Sequence, residues 1–426
     1  MRFPRFVFAP VVALAILTGP SLSVPDVWAA GKEKVLYAFK GGRDGTTPVG
    51  VLVADAAGNL YGVTLSGGAY GGGTVFRLVP SDTGWKESVL HAFGKGDDGV
   101  SPYNLVLDGG GSIYGTTAGG GGAQKLCPEG CGVVYAITRD PQGIWSEKVV
   151  HRFQPEQGDG STPNGALILD AKGNIYGTTT QGGTGSCNGG CGTAFEMTPA
   201  KDGSWNERVL YSFAGGDDGS FPYAGLLFGA NGDMYGTTSE GGPNNNGTVF
   251  QLASSNGKRV KSTLYSFGGY PDGELPGSSS LVADKAGNLY GTTQVGGSFA
   301  CGCCGCGTVF ELRDLSGEWT ENILHDFSGK KDDRYPFGPI LDGAGNVCGT
   351  TSGSIHGQSG TVFELVASGS GWKERAVYAF RPGSDGYAPR GGVLERARDL
   401  YGVAAFGGDL NCGEGRGCGV VYGIVP

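Results

Sequence analysis

The hexapeptide NLYGTT at residues 288–293 decides the fold, because close variants of it recur along the whole chain. Seven copies are present, at residues 59–64, 112–117, 174–179, 233–238, 288–293, 346–351 and 399–404. A motif that returns at a nearly fixed period marks a repeat architecture, in which each copy is one supersecondary unit. The glycine of the motif is expected to let backbones approach closely near the crowded centre of the fold.

Three further apolar segments keep step with each copy. A run such as GALILD (165–170) precedes the motif and a run such as GTVFEL (307–312) follows it. Each segment is short, rich in β-branched and aromatic residues and bounded by Gly, Asp or Asn, which is typical of a strand. The fourth segment ends in a phenylalanine, and these lie 53 to 60 residues apart: Phe39, Phe93, Phe153, Phe213, Phe267, Phe327 and Phe380. Four antiparallel strands repeated seven times predict an all-β, seven-bladed β-propeller of four-stranded blades.

The two ends of the repeat region predict how the ring closes. Residues 33–39 (EKVLYAF) copy the fourth segment, whereas the chain ends at residues 419–426 (GVVYGIVP) with a copy of the third. The N-terminal segment is therefore predicted to complete the last blade as its outer strand, which removes two open sheet edges. Residues 33–426 are accordingly expected to form a single propeller domain.

The N-terminal residues differ in kind from the repeats. Arg2 and Arg5 precede an apolar run over residues 6–17, and small residues lead up to Ala29. This pattern predicts a signal peptide over residues 1–29, with an uncleaved amphipathic anchor as the alternative. The mature protein is expected to be a monomer without a transmembrane segment, secreted into an extracellular or periplasmic compartment. The formal net charge of −9 gives no electrostatic support to nucleic-acid binding.

These motifs together resemble a known bacterial family. The LYGTT copies, the glycine-rich links, GTVF, and the LYSF-like segments followed by Asp-Gly and Pro are similar to the Gloeo/Verruco (GloVer) tandem repeat of choice-of-anchor exported proteins. The resemblance covers residues 33–426. It implies export and, in many members, a C-terminal surface anchor, and it implies no particular chemistry.

Cysteine use follows the length of the link between the second and third segments. Links of eight residues have no cysteine, whereas the four links of 12 to 14 residues each contain a pair or more. A local cross-link lowers the entropy cost of ordering a longer loop, so intraloop disulfides are predicted, with an all-cysteine metal site as the alternative. Cys348, which replaces the tyrosine of LYGTT, is expected to be a buried free thiol. The disulfide candidates are Cys127, Cys131, Cys187, Cys191, Cys301, Cys303, Cys304, Cys306, Cys412 and Cys418.

An acidic residue recurs in every unit, in the pattern Asp-x-x-x-Pro that follows the fourth segment. Alternating strand directions put these residues on the same face of the ring as the links between second and third strands, and we call this the loop face. A ring of carboxylates there suits Ca²⁺ or a polar ligand such as a sugar. The alternative is turn chemistry, with each carboxylate accepting a backbone N–H. The aspartates are Asp44, Asp98, Asp159, Asp218, Asp272, Asp332 and Asp385, and the aromatic candidates beside them are Tyr103, Tyr223 and Tyr387.

The regular strands and variable links favour a non-enzymatic binding or surface-interaction protein, whose ligand is an unidentified protein or glycan at the loop face. No catalytic residues are assigned, and no cofactor is implied apart from the Ca²⁺ that the aspartates leave open. One alternative is a metal-assisted lactonase or lyase with a site in the central channel, where three or more convergent Glu, Asp, Asn or His side chains would be expected. A purely structural envelope protein is the other alternative.

Overall fold

The computed structural model describes residues 31–123, 125–277, 279–301, 304–330, 333–353, 360–369 and 371–425. The chain forms seven antiparallel sheets arranged as a seven-bladed β-propeller, which confirms the predicted fold class. Within these residues the helical segments are four three-residue 3-10 turns, at Gly42–Asp44, Pro155–Gln157, Gly216–Asp218 and Gly413–Gly415. None of the described helices is long and apolar enough to cross a membrane.

Each blade contains an inner, a second, a third and an outer strand, in that order from the axis. Blade one comprises Thr46–Ala54, Leu60–Ser66, Thr74–Ser81 and Gly84–Ala92. Blade two comprises Val100–Leu107, Ile113–Gly119, Val133–Arg139 and Trp145–Arg152. Blade three comprises Ile168–Leu169, Ile175–Thr179, Thr193–Pro199 and Trp205–Ser212, with a short additional pair at Gly160–Ser161 and Gln181–Gly182.

The remaining blades repeat this order with small changes in the inner strand. Blade four comprises Leu227–Phe228, Met234–Thr238, Thr248–Ser255 and Lys258–Ser266. Blade five has an inner strand in two pieces and comprises Gly273–Pro276 with Val282–Ala283, Leu289–Gly296, Thr308–Leu315 and Glu318–Asp326. Blade six comprises Pro336–Leu341, Val347–Thr351, Thr361–Ser368 and Gly371–Ala379. Blade seven comprises Tyr387–Pro389 with Leu394–Arg396, Asp399–Phe406, Val420–Val425 and Lys32–Ala38.

The N-terminal strand closes the ring as the sequence predicts. Lys32–Ala38 pairs antiparallel with Val420–Val425, in a register that runs from Lys32 opposite Val425 to Ala38 opposite Val420. The N–H of Phe39 then donates to the carbonyl of Gly419 at 3.0 Å. The outer strand of blade seven therefore comes from the opposite end of the chain to its other three strands.

Aromatic packing explains the glycine of the repeated motif. A Cβ built on Gly177 would lie 2.6 Å from Cζ of Phe195, which is closer than real Cβ atoms approach. Phe195 belongs to the adjacent third strand, is fully buried, and has its ring 5.3 Å from that of Phe153. The glycine therefore makes room for an aromatic ring inside the core between blades, rather than for a close approach at the axis.

The start of each inner strand has an unusual backbone. The residue before the recurrent proline has φ between 54° and 59° in all seven units, although none of these residues is glycine: Thr47, Ser101, Thr162, Phe221, Leu275, Tyr335 and Ala388. Such a conformation is uncommon for side chains larger than Asn or Asp. In blades one and three, the N–H of this residue donates to Cys418 and Cys131 of the preceding blade, at 3.0 and 2.8 Å. Hydrogen bonds of this kind join blades one to six, each to the blade before it.

Candidate functional site

A cavity of about 640 Å³ lies on the axis of the propeller. Inner strands or the segments beside them contribute to its wall in every blade, including, from blade one to blade seven, Val51, Tyr103, Asn164, Tyr223, Ser280, Phe337 and Arg390. Ser239 and Glu240, which follow the second strand of blade four, also line it. Because second strands end at the loop face, this end of the cavity lies near that face.

The wall combines aromatic rings with few charged groups. Tyr223 has 46% of its surface exposed, whereas Phe337 is 8% exposed and forms part of the wall itself. Burial raises the pKa of the half-buried Tyr103, and the guanidinium of Arg390 opposes that rise. Glu240 and Arg390 are the charged side chains among the described lining residues. The channel therefore offers an exposed flat ring and one charge of each sign.

Two amides in the wall join neighbouring blades. Asn104 accepts the N–H of Val51 at 3.4 Å through Oδ1, and its Nδ2 donates to the carbonyl of Asn164 at 3.3 Å. Asn164 donates in turn from Nδ2 to Oγ1 of Thr180 at 3.3 Å. These amides hold blades one, two and three together around the axis, so part of their hydrogen-bonding capacity is already used.

The six recurrent aspartates that the structure describes lie in the turns between blades and do not line the channel. Asp44 illustrates the arrangement: its Oδ2 accepts the phenol of Tyr37 and the N–H of Lys40, both at 2.9 Å. Asp98, Asp159, Asp218, Asp272 and Asp385 likewise each accept from a tyrosine or histidine on the preceding outer strand, at 2.7–3.0 Å. Asp332 lies outside the described residues. These contacts follow the turn alternative, while binding of Ca²⁺ or a ligand by the aspartates stays a prediction.

A second ionisable group faces most of these aspartates from the next outer strand. Burial and repulsion by Asp44 raise the pKa of Glu87 to about 7. Burial, together with repulsion by the aspartate that faces each side chain, also raises the pKa of Glu33, Glu147 and Glu207 to about 7, and that of Glu321 to about 8. In blade four Lys261 takes the equivalent position, with its side chain 3% exposed and its Nζ 3.1 Å from Oδ1 of Asp218.

The three predicted tyrosines have different environments. Tyr103 and Tyr223 both line the channel. Tyr387 does not; its ring packs against Phe406 with centroids 5.4 Å apart. The sequence does not predict a site role for Asn104, Asn164, Glu240 or Arg390, because their spacing along the chain forms no motif and only the ring brings them together.

The longer links contain the predicted disulfides. The described pairs are Cys127–Cys131, Cys187–Cys191, Cys301–Cys306 and Cys412–Cys418, with Cα–Cα distances of 5.0–5.5 Å. Cys304 is also disulfide-bonded, whereas Cys303 lies outside the described residues. In each described pair the second cysteine precedes the third strand, and the carbonyls of Cys131, Cys191, Cys306 and Cys418 accept an N–H from the next blade. The disulfides therefore fix loop ends that connect neighbouring blades.

Potential metal ligands converge away from the channel. Among the described residues, Asp342, Cys348 and Glu364 form a group of three side chains that lie close enough to share a metal ion. Cys348 is a free and buried cysteine, as predicted.

Comparison with known proteins identifies the repeat and the fold. The family model described as the Gloeobacter/Verrucomicrobia repeat matches residues 27–203 and 184–415. No curated protein matches the chain.

Three solved structures share the fold at low sequence identity. A protein from Lactobacillus plantarum is 14% identical with a TM-score of 0.52, over 86% of this chain and 99% of that one. A putative 6-phosphogluconolactonase from Bacteroides uniformis is 12% identical with a TM-score of 0.50, over 84% of this chain and 88% of that one. A polysaccharide lyase of family PL25, an ulvan lyase, is 12% identical with a TM-score of 0.50, over 88% and 90%. At this identity the likeness extends to the propeller alone.

Proposed function

The chain belongs to the Gloeobacter/Verrucomicrobia repeat family, and we propose that it is an exported, non-catalytic binding protein that holds a carbohydrate in its axial channel. Export is supported by the disulfides, which persist in oxidising compartments, and by the signal-like residues 1–29. We further propose that residues 33–426 act as one domain and one monomer.

The channel is the observation that carries this proposal. Its volume of about 640 Å³ lies within the range of small-molecule sites, roughly 300–1,000 Å³. Tyr223 presents an exposed ring on which an apolar sugar face can stack, and Ser239, Glu240 and Gln294 offer hydrogen-bonding groups at the loop-face end. One positive and one negative side chain in the described wall favour a neutral ligand over a strongly charged one.

The described lining gives less support to metal-assisted hydrolysis. Its one carboxylate is Glu240, and it contains no histidine or cysteine. Asn104 and Asn164 come from neighbouring blades but bond to Val51, to each other and to Thr180. A hard cation such as Ca²⁺ takes about 6–8 oxygen ligands, usually several of them carboxylates. We therefore assign the channel to binding, and treat turnover of a bound glycan as the competing outcome.

The test is a glycan array probed with the disulfide-bonded mature protein, followed by calorimetric titration of the strongest glycan. Tyr223→Ala is expected to weaken binding about tenfold, which corresponds to the roughly 1.4 kcal/mol that one stacked ring contributes. Tyr70→Ala is the matched control, because Tyr70 is 51% exposed, lies in a loop-face link and does not line the channel.

Absence of any glycan bound by the wild-type protein would refute the proposal. So would a larger loss in Tyr70→Ala than in Tyr223→Ala, which would move binding to the rim. Analysis of the glycan after prolonged incubation separates binding from turnover, since appearance of cleaved or eliminated product would overturn the non-catalytic assignment.

A further inference from the structure

The hairpins that begin the second strands of blades three and five contain the same hydrogen-bonded set of side chains. In blade three, the phenol of Tyr176 donates to Oδ2 of Asp170 at 3.2 Å and to Oε1 of Glu196 at 2.8 Å. In blade five, Tyr290 makes the same pair of contacts with Asp284 and Glu311, at 3.2 and 2.8 Å. In both blades one phenol thus lies within hydrogen-bonding distance of two carboxylates and shares its single proton between them.

Blade six keeps both carboxylates of this set but lacks the tyrosine. Asp342 and Glu364 hold the corresponding positions, and Cys348 takes the place of the phenol. The thiol is 1% exposed, and neither a disulfide nor a hydrogen bond occupies it within the described part of the chain. Its Sγ and a carboxylate oxygen of each acid all lie within 4.8 Å of one another.

A second departure from the repeat occurs at the same place. Glu395 of blade seven pairs with Leu400, a register position that is apolar in the other six blades: Ala54, Leu107, Leu169, Phe228, Ala283 and Leu341. In blade four this residue, Phe228, packs against Tyr176 of blade three with ring centroids 5.3 Å apart. By this equivalence, Glu395 is placed across the boundary between blades six and seven from Cys348. Burial, followed by the charges of Glu364, Asp342 and Glu395, raises the pKa of Cys348, and burial followed by the charge of Asp342 raises the pKa of Glu395.

The charges at this boundary do not balance. Oε2 of Glu364, which is fully buried, accepts from Nη2 of Arg375 at 2.6 Å and from its Nε at 3.2 Å. Asn346 donates to Asp342 at 2.8 Å and to the other oxygen of Glu364 at 3.3 Å. Three carboxylates thus face one guanidinium, around a thiol that replaces the bulky neutral phenol of the other units. A divalent cation would neutralise the excess charge.

We propose that Asp342, Cys348 and Glu364 form a site for a divalent transition-metal ion of the Zn²⁺ class, with Glu395 as an additional ligand that connects blade six to blade seven. Thiolate and carboxylate donors together suit Zn²⁺ better than Ca²⁺ or Mg²⁺, which prefer oxygen alone. Bound zinc has donors at about 2.0–2.3 Å, so the three side chains have to approach each other by roughly 1 Å. Binding would release the thiol proton to solvent, because a coordinating thiol is deprotonated by its metal.

The experiment uses Co²⁺ as a spectroscopic substitute for Zn²⁺, on the full mature protein with its disulfides intact. One Co²⁺ per chain is expected, with a thiolate-to-cobalt charge-transfer band that Zn²⁺ abolishes by competition. Cys348→Tyr restores the residue of the other blades and should remove the band and the bound ion while the protein stays folded. Cys348→Ser keeps the small volume and supplies a second folded variant, which should lose the band. Glu395→Leu, which introduces the residue found in three of the other six units, should weaken metal binding by at least about tenfold.

Failure of the wild-type protein to bind Co²⁺ or Zn²⁺ stoichiometrically would overturn the proposal. Equal metal binding by Cys348→Tyr would overturn it as well, because the ion would then lie elsewhere. This site is separate from the axial channel, so the outcome is independent of the glycan experiment.

Discussion

Replacing the last residue of the N-terminal segment tests whether that segment belongs to the core of the ring. Phe39 is fully buried, with its ring 5.1 Å from that of Phe76 in blade one and 5.2 Å from that of Tyr37. Phe213 occupies the same position in the middle of the chain, also fully buried, with its ring 5.1 Å from Phe250. The N–H groups of Phe39 and Phe213 both donate at 3.0 Å to the carbonyl of the glycine that precedes the third strand of the same blade.

Because the two environments match, Phe39→Ala and Phe213→Ala should lower the free energy of unfolding by similar amounts. Truncation of a buried phenylalanine typically costs about 3–5 kcal/mol, which includes the cavity that remains. The assay is urea unfolding followed by tryptophan fluorescence. Lys34→Ala is the control within the same strand, since Lys34 is exposed and its truncation should change stability by less than about 0.5 kcal/mol.

A peripheral N-terminal strand would give a different result. Terminal segments that fray independently contribute almost nothing to global stability. A cost below about 1 kcal/mol for Phe39→Ala, together with the full cost for Phe213→Ala, would therefore refute ring closure by this strand.

Three further predictions concern the charges and cross-links between blades. The urea midpoint should fall as pH rises from about 4.5 to about 8. Five glutamates have raised pKa values in the folded state, so over this range they ionise first in the unfolded chain and stabilise it relative to the folded one. A midpoint that rises over this range would contradict the prediction. His91, whose pKa is lowered by burial, should instead raise stability as pH rises. Its single contribution is smaller than the combined effect of the five glutamates, which are Glu33, Glu87, Glu147, Glu207 and Glu321. Lys261→Glu should destabilise the protein by about 3–5 kcal/mol, and by more at pH 8 than at pH 5. Lys261→Met is the control and should cost less at pH 8, because it places no like charge beside Asp218. Equal losses at both pH values for Lys261→Glu would exclude repulsion by Asp218. Replacing Cys187 and Cys191 together by alanine should cost about 2 kcal/mol by loop entropy, and an unchanged midpoint would show that the cross-link does not stabilise the link.

The repeat determined most of what could be predicted from the sequence. Seven copies of one motif gave the blade number, and the displaced fourth segment at residues 33–39 gave the closing strand. Link length and cysteine content gave the loop disulfides, and the tyrosine position gave the buried thiol of Cys348. These features depend on local spacing or on equivalence between units, both of which are visible in a single chain.

The channel could not be predicted in the same way. Glu240 and Arg390 lie 150 positions apart in sequence. They line the same cavity only because the ring brings blades four and seven to the same axis. Tyr103 and Tyr223 were found because they stand beside the repeated Asp-x-x-x-Pro pattern, yet Tyr387 stands beside it too and packs on Phe406 instead. Residues that differ between the repeats are thus good candidates for a binding site. The residues that they meet in the folded ring belong to other units, so only the three-dimensional structure shows which ones these are.

The most direct test of the proposed function is a crystal structure of the protein with the strongest glycan from the array. We expect density for a sugar in the axial channel, stacked on Tyr223 and within hydrogen-bonding distance of Ser239 or Glu240. Density confined to the rim links, with the channel holding only solvent, would contradict it.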